Sequence, residues 1–403
     1  REYDAAVFGV GRLGLCFALS LERAGMRVLG VDLVEAYINK LNDKTYTTDE
    51  PRVNEYLRES KNFLATTDRK WAALAAPLLF VFVPTPTVGG VHFYDHSLLS
   101  GLLSELNDYQ VSDKHVIINS TVMPGYSSQI GRFLLRDCPN TILSYNPAFV
   151  AQGEVMDGYE KGGWFGMVLI GTESKELGVR LTQVYEALSP SRKPNVCIMS
   201  PESAEITKLA SNCFRTTKIS FANMMGDIAD ATPNANKFDI CRALGMDDSI
   251  GPKCMMPGFG YGGPCYTRDN RALASYCKKV GVNPLIPAAS DGYNDFHHER
   301  MAEELLKQDL ELYVFDDVTY KSKLAVAMID DSPKLVVVLC PSPCLISPPP
   351  CRHGHCRPSH DMPTMSPYHD MGVLSPRDRS CRVQCTALTT FRPRRSPRRA
   401  RRC

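Results

Sequence analysis

Two glycine-rich segments of this chain could do chemistry. The first, Val7-Phe8-Gly9-Val10-Gly11-Arg12-Leu13-Gly14, follows a short apolar run and opens a helical pattern. In a G-x-G-x-x-G turn the first glycine permits the tight bend, the second lets the backbone approach a pyrophosphate, and the third lets helix and strand pack closely. The helix N-terminus then faces the phosphates. A second apolar run, Arg27–Val31, ends at Asp32, whose carboxylate suits adenosine ribose hydroxyls and would repel a 2′-phosphate. The expected cofactor is therefore NAD. Val83-Pro84-Thr85-Pro86-Thr87 and Ser120-Thr121-Val122 each follow a further apolar run. Loops at the carboxyl ends of parallel strands reach the same ligand crevice.

The second segment, Phe259-Gly260-Tyr261-Gly262-Gly263-Pro264-Cys265-Tyr266-Thr267-Arg268-Asp269, delivers one cysteine to the start of a helix. A thiol there is activated by the helix N-terminus and by nearby cations. The residues alone leave open a second reading, a buried Cys behind a loop.

These segments need elements to position them. Ala5–Phe8, Arg27–Val31, Leu78–Val83, Val116–Asn119 and Val168–Ile170 read as buried strands, with helical stretches such as Gly14–Ala24 and Ser97–Leu106 between them. That alternation predicts an α/β fold, a Rossmann-type doubly wound parallel sheet, over 1–195. Residues 196–300 read as a mainly helical domain carrying the Cys, with an amphipathic stretch at Ile206–Ala229. Residues 301–340 read as the start of an incomplete second α/β domain. The stretch 341–403, rich in Pro, Arg and Cys and without periodicity, is expected to be disordered.

Net charge is +2, unevenly spread. Residues 341–403 hold twelve Arg and three Asp with no Lys or Glu, net +9, so the remainder carries −7. The body gives no electrostatic reason to bind nucleic acid or membrane. The run Arg392–Arg402 could bind RNA. Cys340, Cys344, Cys351, His353, His355 and Cys356 match no standard zinc spacing, so no metal is expected. The abrupt change of composition inside a domain reads as shifted-frame or unspliced translation. Eight of the fifteen Cys lie irregularly within 1–300, as reduced thiols of a cytoplasmic protein would. The chain runs from Arg1 at once into its first strand without a signal segment, and no stretch of about 20 apolar residues could span a bilayer.

Several motifs in order resemble the UDP-glucose/GDP-mannose dehydrogenase family: Gly9–Gly14 with Asp32, Val83–Thr87, Ser120–Val122, Asn146–Gly153, Glu205–Asn212 and Gly258–Asp269, over about 1–325. The resemblance implies a four-electron oxidation of a nucleotide sugar to its uronic acid with two NAD. UDP-glucose is favoured over GDP-mannose or UDP-N-acetylmannosamine by resemblance alone. Cys265 takes the nucleophile's place, passing through a thiohemiacetal and a thioester. Lys208 and Asn212, one helical turn apart, match the family's pair near the reacting oxygen. Asp269 and Thr121 match positions that hold a catalytic water.

Gly9, Val10, Gly11, Arg12, Leu13, Gly14, Asp32, Pro84, Thr85, Pro86, Thr87, Ser120, Thr121, Gln152 and Arg268 are expected around the cofactor. Phe149, Val150, Ala151, Gln152, Lys208, Asn212, Phe259, Gly260, Tyr261, Gly262 and Lys321 are expected around the substrate. A homodimer paired through the helical region is implied as well.

Three departures stand out. Ala148 replaces a family Glu that acts as acid and base around thioester hydrolysis, and Gln152 replaces a second Glu. Ser249 stands where the family commonly has an Arg that reaches the partner's site. The competing readings are an inactive cofactor-binding relic, RNA binding through the tail, and a single-step hydroxyacid dehydrogenase that needs no Cys.

Overall fold

The computed structural model describes residues 2–90, 93–161, 166–308, 312–315, 318–319, 329–339 and 382–385. Four strands open the chain: β1 (Ala5–Phe8), β2 (Val28–Val31), β3 (Phe63–Thr66) and β4 (Leu78–Val81). Between them run α1 (Arg12–Arg23), α2 (Glu35–Asn42), α3 (Val53–Glu59) and α4 (Arg69–Ala75). Next come α5 (Ser97–Asp108), β5 (His115–Ile118), a π-helical turn over Tyr126–Gly131, the short α6 (Arg132–Leu134), β6 (Ile142–Tyr145), α7 (Val155–Glu160), β7 (Met167–Gly171), α8 (Lys175–Leu188) and β8 (Asn195–Met199).

The eight strands form one sheet in the order β3-β2-β1-β4-β5-β6-β7-β8. All neighbours are parallel except β6 and β7, joined antiparallel through Tyr145 and Gly171. β1, β2 and β4 are buried at every position, as strands covered by helices on both faces must be. Side chains alternate between the two faces. Ala5 and Val7 enter a core with Phe17 and Leu21 of α1 and Leu181 of α8, whereas Ala6 and Phe8 enter a second core with Leu99 and Leu103 of α5.

The sheet agrees with the expected Rossmann-type layout, although β3, β6 and β8 carried no legible strand signal. β8 is partly exposed, and β3 alternates between buried and exposed positions. The chain reverses its direction of travel across the sheet between β1 and β4, which is where parallel sheets open a ligand crevice.

A helical region follows: α9 (Pro201–Asp230), α10 (Lys237–Met246), α11 (Gly263–Lys279) and α12 (Leu285–Leu306). Ser200 caps α9 by accepting from the Ser203 N–H at 3.2 Å, and Pro201 occupies the first turn, where its missing N–H costs nothing. β9 (Leu312–Phe315), α13 (Pro333–Leu339) and β10 (Arg382–Cys385) complete the described elements. β10, inside the stretch 341–403 whose composition reads as disordered, pairs in parallel with β9. The other residues of that stretch lie outside the described residues. So do Lys321, the six Cys and His weighed for zinc, and the Arg-rich run. No helix among the described residues is long and apolar enough to cross a membrane.

Candidate active site

The first glycine turn lies at the crevice. A Cβ on Gly9, which has a φ of +88°, would stand 2.7 Å from the Phe82 carbonyl oxygen just beyond β4. A Cβ on Gly14 would stand 2.0 Å from the Gly9 carbonyl oxygen, so α1 can approach β1 only without a side chain there. Gly11 differs. Its φ is an ordinary −69°, and a Cβ would meet nothing within 4 Å. The protein itself therefore leaves the space above Gly11 open, as a phosphate-binding turn requires.

Beside it lies a cavity of about 310 Å³ lined by Gly9, Asp32, Leu33, Val83, Pro84, Leu98 and Leu102 among others. Its walls are largely apolar, Glu105 among the lining is paired with Arg69, and Asp32 is left as the carboxylate that suits an adenosine ribose. Asp32 already accepts from the Leu33 N–H at 2.8 Å, which fixes its orientation.

The two loops beyond β4 and β5 are tied together. Ser120 Oγ donates to the Val83 carbonyl at 2.6 Å, and Thr85 Oγ1 donates to the Thr121 carbonyl at 2.7 Å. Arg12 Nη1 reaches Gln152 Oε1 at 3.1 Å, closing the rim on the α1 side. These residues fit an NAD molecule laid across the carboxyl ends of β1, β2 and β4.

The second glycine segment precedes α11, whose N-terminal residue before the helix is Gly262, with Cys265 in the first turn. No side chain caps this helix. Its positive end therefore faces the thiol, which favours thiolate. Opposing this, desolvation and then the Asp269 carboxylate raise the Cys265 thiol above its usual range, while Lys208 and Arg268 pull it down. Cys265 is exposed, so solvent moderates the desolvation and leaves more weight to the two cations.

Around the thiol, α9 and α11 face each other. Lys208 is 8% exposed. Its ammonium donates to the Ala148 carbonyl at 3.1 Å and lies 4.6 Å from the centre of the Phe149 ring. Desolvation lowers its pKa, against the attraction of Asp269 and Cys265. Asn212 Nδ2 donates to Asp269 Oδ2 at 2.7 Å. Asp269 Oδ1 accepts from Tyr94 Oη at 2.8 Å and meets Arg268 Nε at 3.4 Å.

The structure thus brings Lys208, Asn212, Arg268, Asp269 and Cys265 into one cluster, with Ala148 and Phe149 against it. Val150 and Ala151 are half-buried in the same segment. Thr121 is joined to the cofactor loops rather than by a hydrogen bond to this cluster.

The loop ahead of Cys265 is held from below. The Gly258 N–H donates to Asn223 Oδ1 at 2.8 Å, and Gly258 O lies 2.7 Å from His297 Nε2. His297 Nδ1 meets Asp227 at 3.0 Å. The Tyr261 N–H donates to Asn294 Oδ1 at 2.9 Å, and its side chain, 3% exposed, reaches Asp291. The Tyr261 side chain therefore anchors the loop to α12. Phe259 is half-buried, and Gly260 (φ +91°) sits where a Cβ would strike Asn294 and His298. A Cβ on Gly262 would lie 1.9 Å from the Asp331 carbonyl oxygen, and the Gly263 N–H donates to that oxygen at 3.0 Å.

Sequence reasoning missed several of these supports. Tyr94, Asn223, Asp227 and His297 belong to no motif. Glu205 is fully buried and accepts from the Gly125 and Ser127 N–H groups at 2.6 and 2.9 Å, which fixes the turn after Thr121. Ser249 is exposed, and its hydroxyl donates to Asp247 in its own turn.

A Rossmann-type dinucleotide fold, with a thiol, an ammonium, an amide and a carboxylate gathered where α9 meets α11, is the arrangement of a nucleotide-cofactor-dependent dehydrogenase. Two family models match: the NAD binding domain of the UDP-glucose/GDP-mannose dehydrogenase family over residues 4–189, and that family's central domain over 202–295. The chain belongs to this family of NAD-dependent oxidoreductases.

It is similar to the UDP-glucose 6-dehydrogenase of Rhizobium meliloti (strain 1021), 28% identical over 308 residues, covering 74% of this chain and 69% of that one. It is also similar to GDP-mannose 6-dehydrogenase of Pseudomonas aeruginosa, 27% identical over 297 residues, covering 70% and 66%. Rice UDP-glucose 6-dehydrogenase 3 is 28% identical over 274 residues, and the match spans only 56% of its length. Among solved structures, a UDP-glucose dehydrogenase from Pyrobaculum islandicum shares the fold with a TM-score of 0.74 at 22% identity, covering 84% of this chain and 78% of that one.

Proposed function

We propose that this chain oxidises C6 of UDP-glucose through a covalent link to Cys265, and that it releases the product slowly. The observation that carries the reading is the cluster in which Lys208 and Asp269 act on the Cys265 thiol, with Asn212 donating to Asp269. The names of the curated relatives support UDP-glucose over GDP-mannose only by their number.

Bound NAD supplies a hydride acceptor. The chain's residues do the rest. Lys208 and Asn212 stabilise the alkoxide that develops as the C6 hydroxyl loses its proton. Loss of a hydride leaves an aldehyde. The Cys265 sulfur adds to that carbonyl, giving a thiohemiacetal and retaining the reactive carbon. A second hydride loss gives a thioester, and water then cleaves the C–S bond to release the uronate, the thiol and a further proton. Each hydride lost consumes one NAD and releases one proton. The last step is the weak one here. Ala148 offers only its carbonyl, already engaged by Lys208, and an Ala side chain cannot move a proton.

The protein's second copy enters the same reading. Phe214, Phe221 and Ile228 recur every seven residues on α9 and are 67%, 43% and 52% exposed. A stripe of this kind suits pairing with a second α9, so we read the chain as a homodimer.

Stoichiometry tests the proposal. Full-length protein mixed with excess NAD and UDP-glucose should give a burst approaching two reduced nicotinamides per Cys265, followed by a slow phase. No reduction, with NAD bound, would overturn it.

A further inference from the structure

We infer that Tyr94 is a positioning residue that sets the charge felt by the Cys265 thiol, acting through Asp269. The inference rests on the reading of Cys265 as the nucleophile. Tyr94 stands on the loop that leaves β4 through Val83–Thr87, the segment that borders the cofactor cavity. That loop folds back on itself: the Asp95 N–H donates to the Pro86 carbonyl at 2.8 Å, and Thr87 pairs with Tyr94. Its far side docks on α11 at two points. Ser275 Oγ donates to the Gly90 carbonyl at 2.7 Å, and Tyr94 Oη donates to Asp269 Oδ1 at 2.8 Å.

The phenol is fully enclosed. Tyr94 is 1% exposed, and Phe93, Met123, Leu209 and Ala272 share its cluster. The Arg268 guanidinium lies 5.0 Å from the ring centre, and Arg268 also meets Asp269. Burial and the adjacent carboxylate hold the Tyr94 hydroxyl protonated well beyond its ordinary range, so it is an obligate donor to Asp269.

Asp269 is the group through which this matters. Its negative charge disfavours the Cys265 thiolate. Each donor to the carboxylate draws part of that charge away from the sulfur. Asn212 serves Oδ2 and Tyr94 serves Oδ1, so the carboxylate is fixed between α9 and the cofactor loop. Of the two hydrogen bonds that join the loop bordering the cofactor to α11, the one from Tyr94 is the one that reaches the carboxylate beside the nucleophile.

The test uses the full chain without substrate or cofactor. Alkylation of Cys265 by iodoacetamide is followed by peptide mass from pH 7 to 10, so a chain that oxidises no sugar still gives a result. Tyr94→Phe keeps the ring and removes only the hydroxyl. It should slow alkylation at pH 8.5 by more than about threefold and move the profile to higher pH. In an Asp269→Asn background the same change should alter the rate by less than about twofold, because the charge it moderates is gone. Ser275→Ala, which removes the other anchor of the loop, should leave the profile in place. An unmoved profile for Tyr94→Phe, or an equal effect of Ser275→Ala, would overturn the inference.

Discussion

Asn212 on α9 and Asp269 on α11 are joined by a 2.7 Å hydrogen bond from Nδ2 to Oδ2, with both residues at most 5% exposed. This bond lies beside the ammonium of Lys208 and fixes the face that a sugar hydroxyl would meet. A buried carboxylate that loses a donor costs about 1–3 kcal/mol. Asn212→Ala should therefore lower stability by that order in urea melts. Hydride transfer, read as the burst of reduced nicotinamide, should fall about 100-fold, the loss expected when one oxyanion donor is removed. Equal rates in Asn212→Ala and wild type would remove Asn212 from the chemistry.

The contrast between two glycines separates binding from folding. A Cβ on Gly11 meets open space, and one on Gly14 meets the Gly9 carbonyl oxygen at 2.0 Å. Gly11→Val should keep the melting temperature within about 2 °C of wild type. It should also weaken NAD binding severely, as measured by calorimetry, because only the pyrophosphate needs that space. Gly14→Val should give little folded protein. A Gly11→Val variant that binds NAD normally would show that the turn does not hold the pyrophosphate.

His298 predicts an acid limb in stability. It is 3% exposed, and burial followed by the neighbouring His297 lowers its pKa from 6.5 to about 4. Between those values the unfolded chain binds a proton that the folded chain refuses. Stability from this residue is complete above 6.5 and is lost as pH falls toward 4, by at most about 3 kcal/mol. Urea melts at pH 7 and pH 4.5 should differ less in His298→Gln than in wild type. An identical pH dependence in the two proteins would contradict this assignment.

The cofactor half of the molecule was legible because its signals are local. Gly9, Gly11, Gly14 and Asp32 lie within one strand–turn–helix–strand unit, and the family models agree with that reading. The strands β3 and β8 escaped notice because each has an exposed side and lacks a continuous apolar run. α11 begins at Gly263 with Pro264 in its first turn, which puts Cys265 at the start of a helix.

The cluster at the thiol was found only in part. Cys265, Lys208, Asn212 and Asp269 stand in motifs, but Tyr94 meets Asp269 across 175 positions of sequence. Asp227 and His297, 70 positions apart, likewise hold Gly258 through contacts that no local pattern encodes.

The most direct test of the covalent reading is an intact mass taken after a single turnover with NAD and UDP-glucose, with the adduct located by peptide mass. The account predicts a sugar-nucleotide acyl group on Cys265, long-lived because Ala148 cannot assist hydrolysis, and its absence in Cys265→Ala. Reduction of NAD by wild type and Cys265→Ala to the same extent, with no adduct on either, would contradict it.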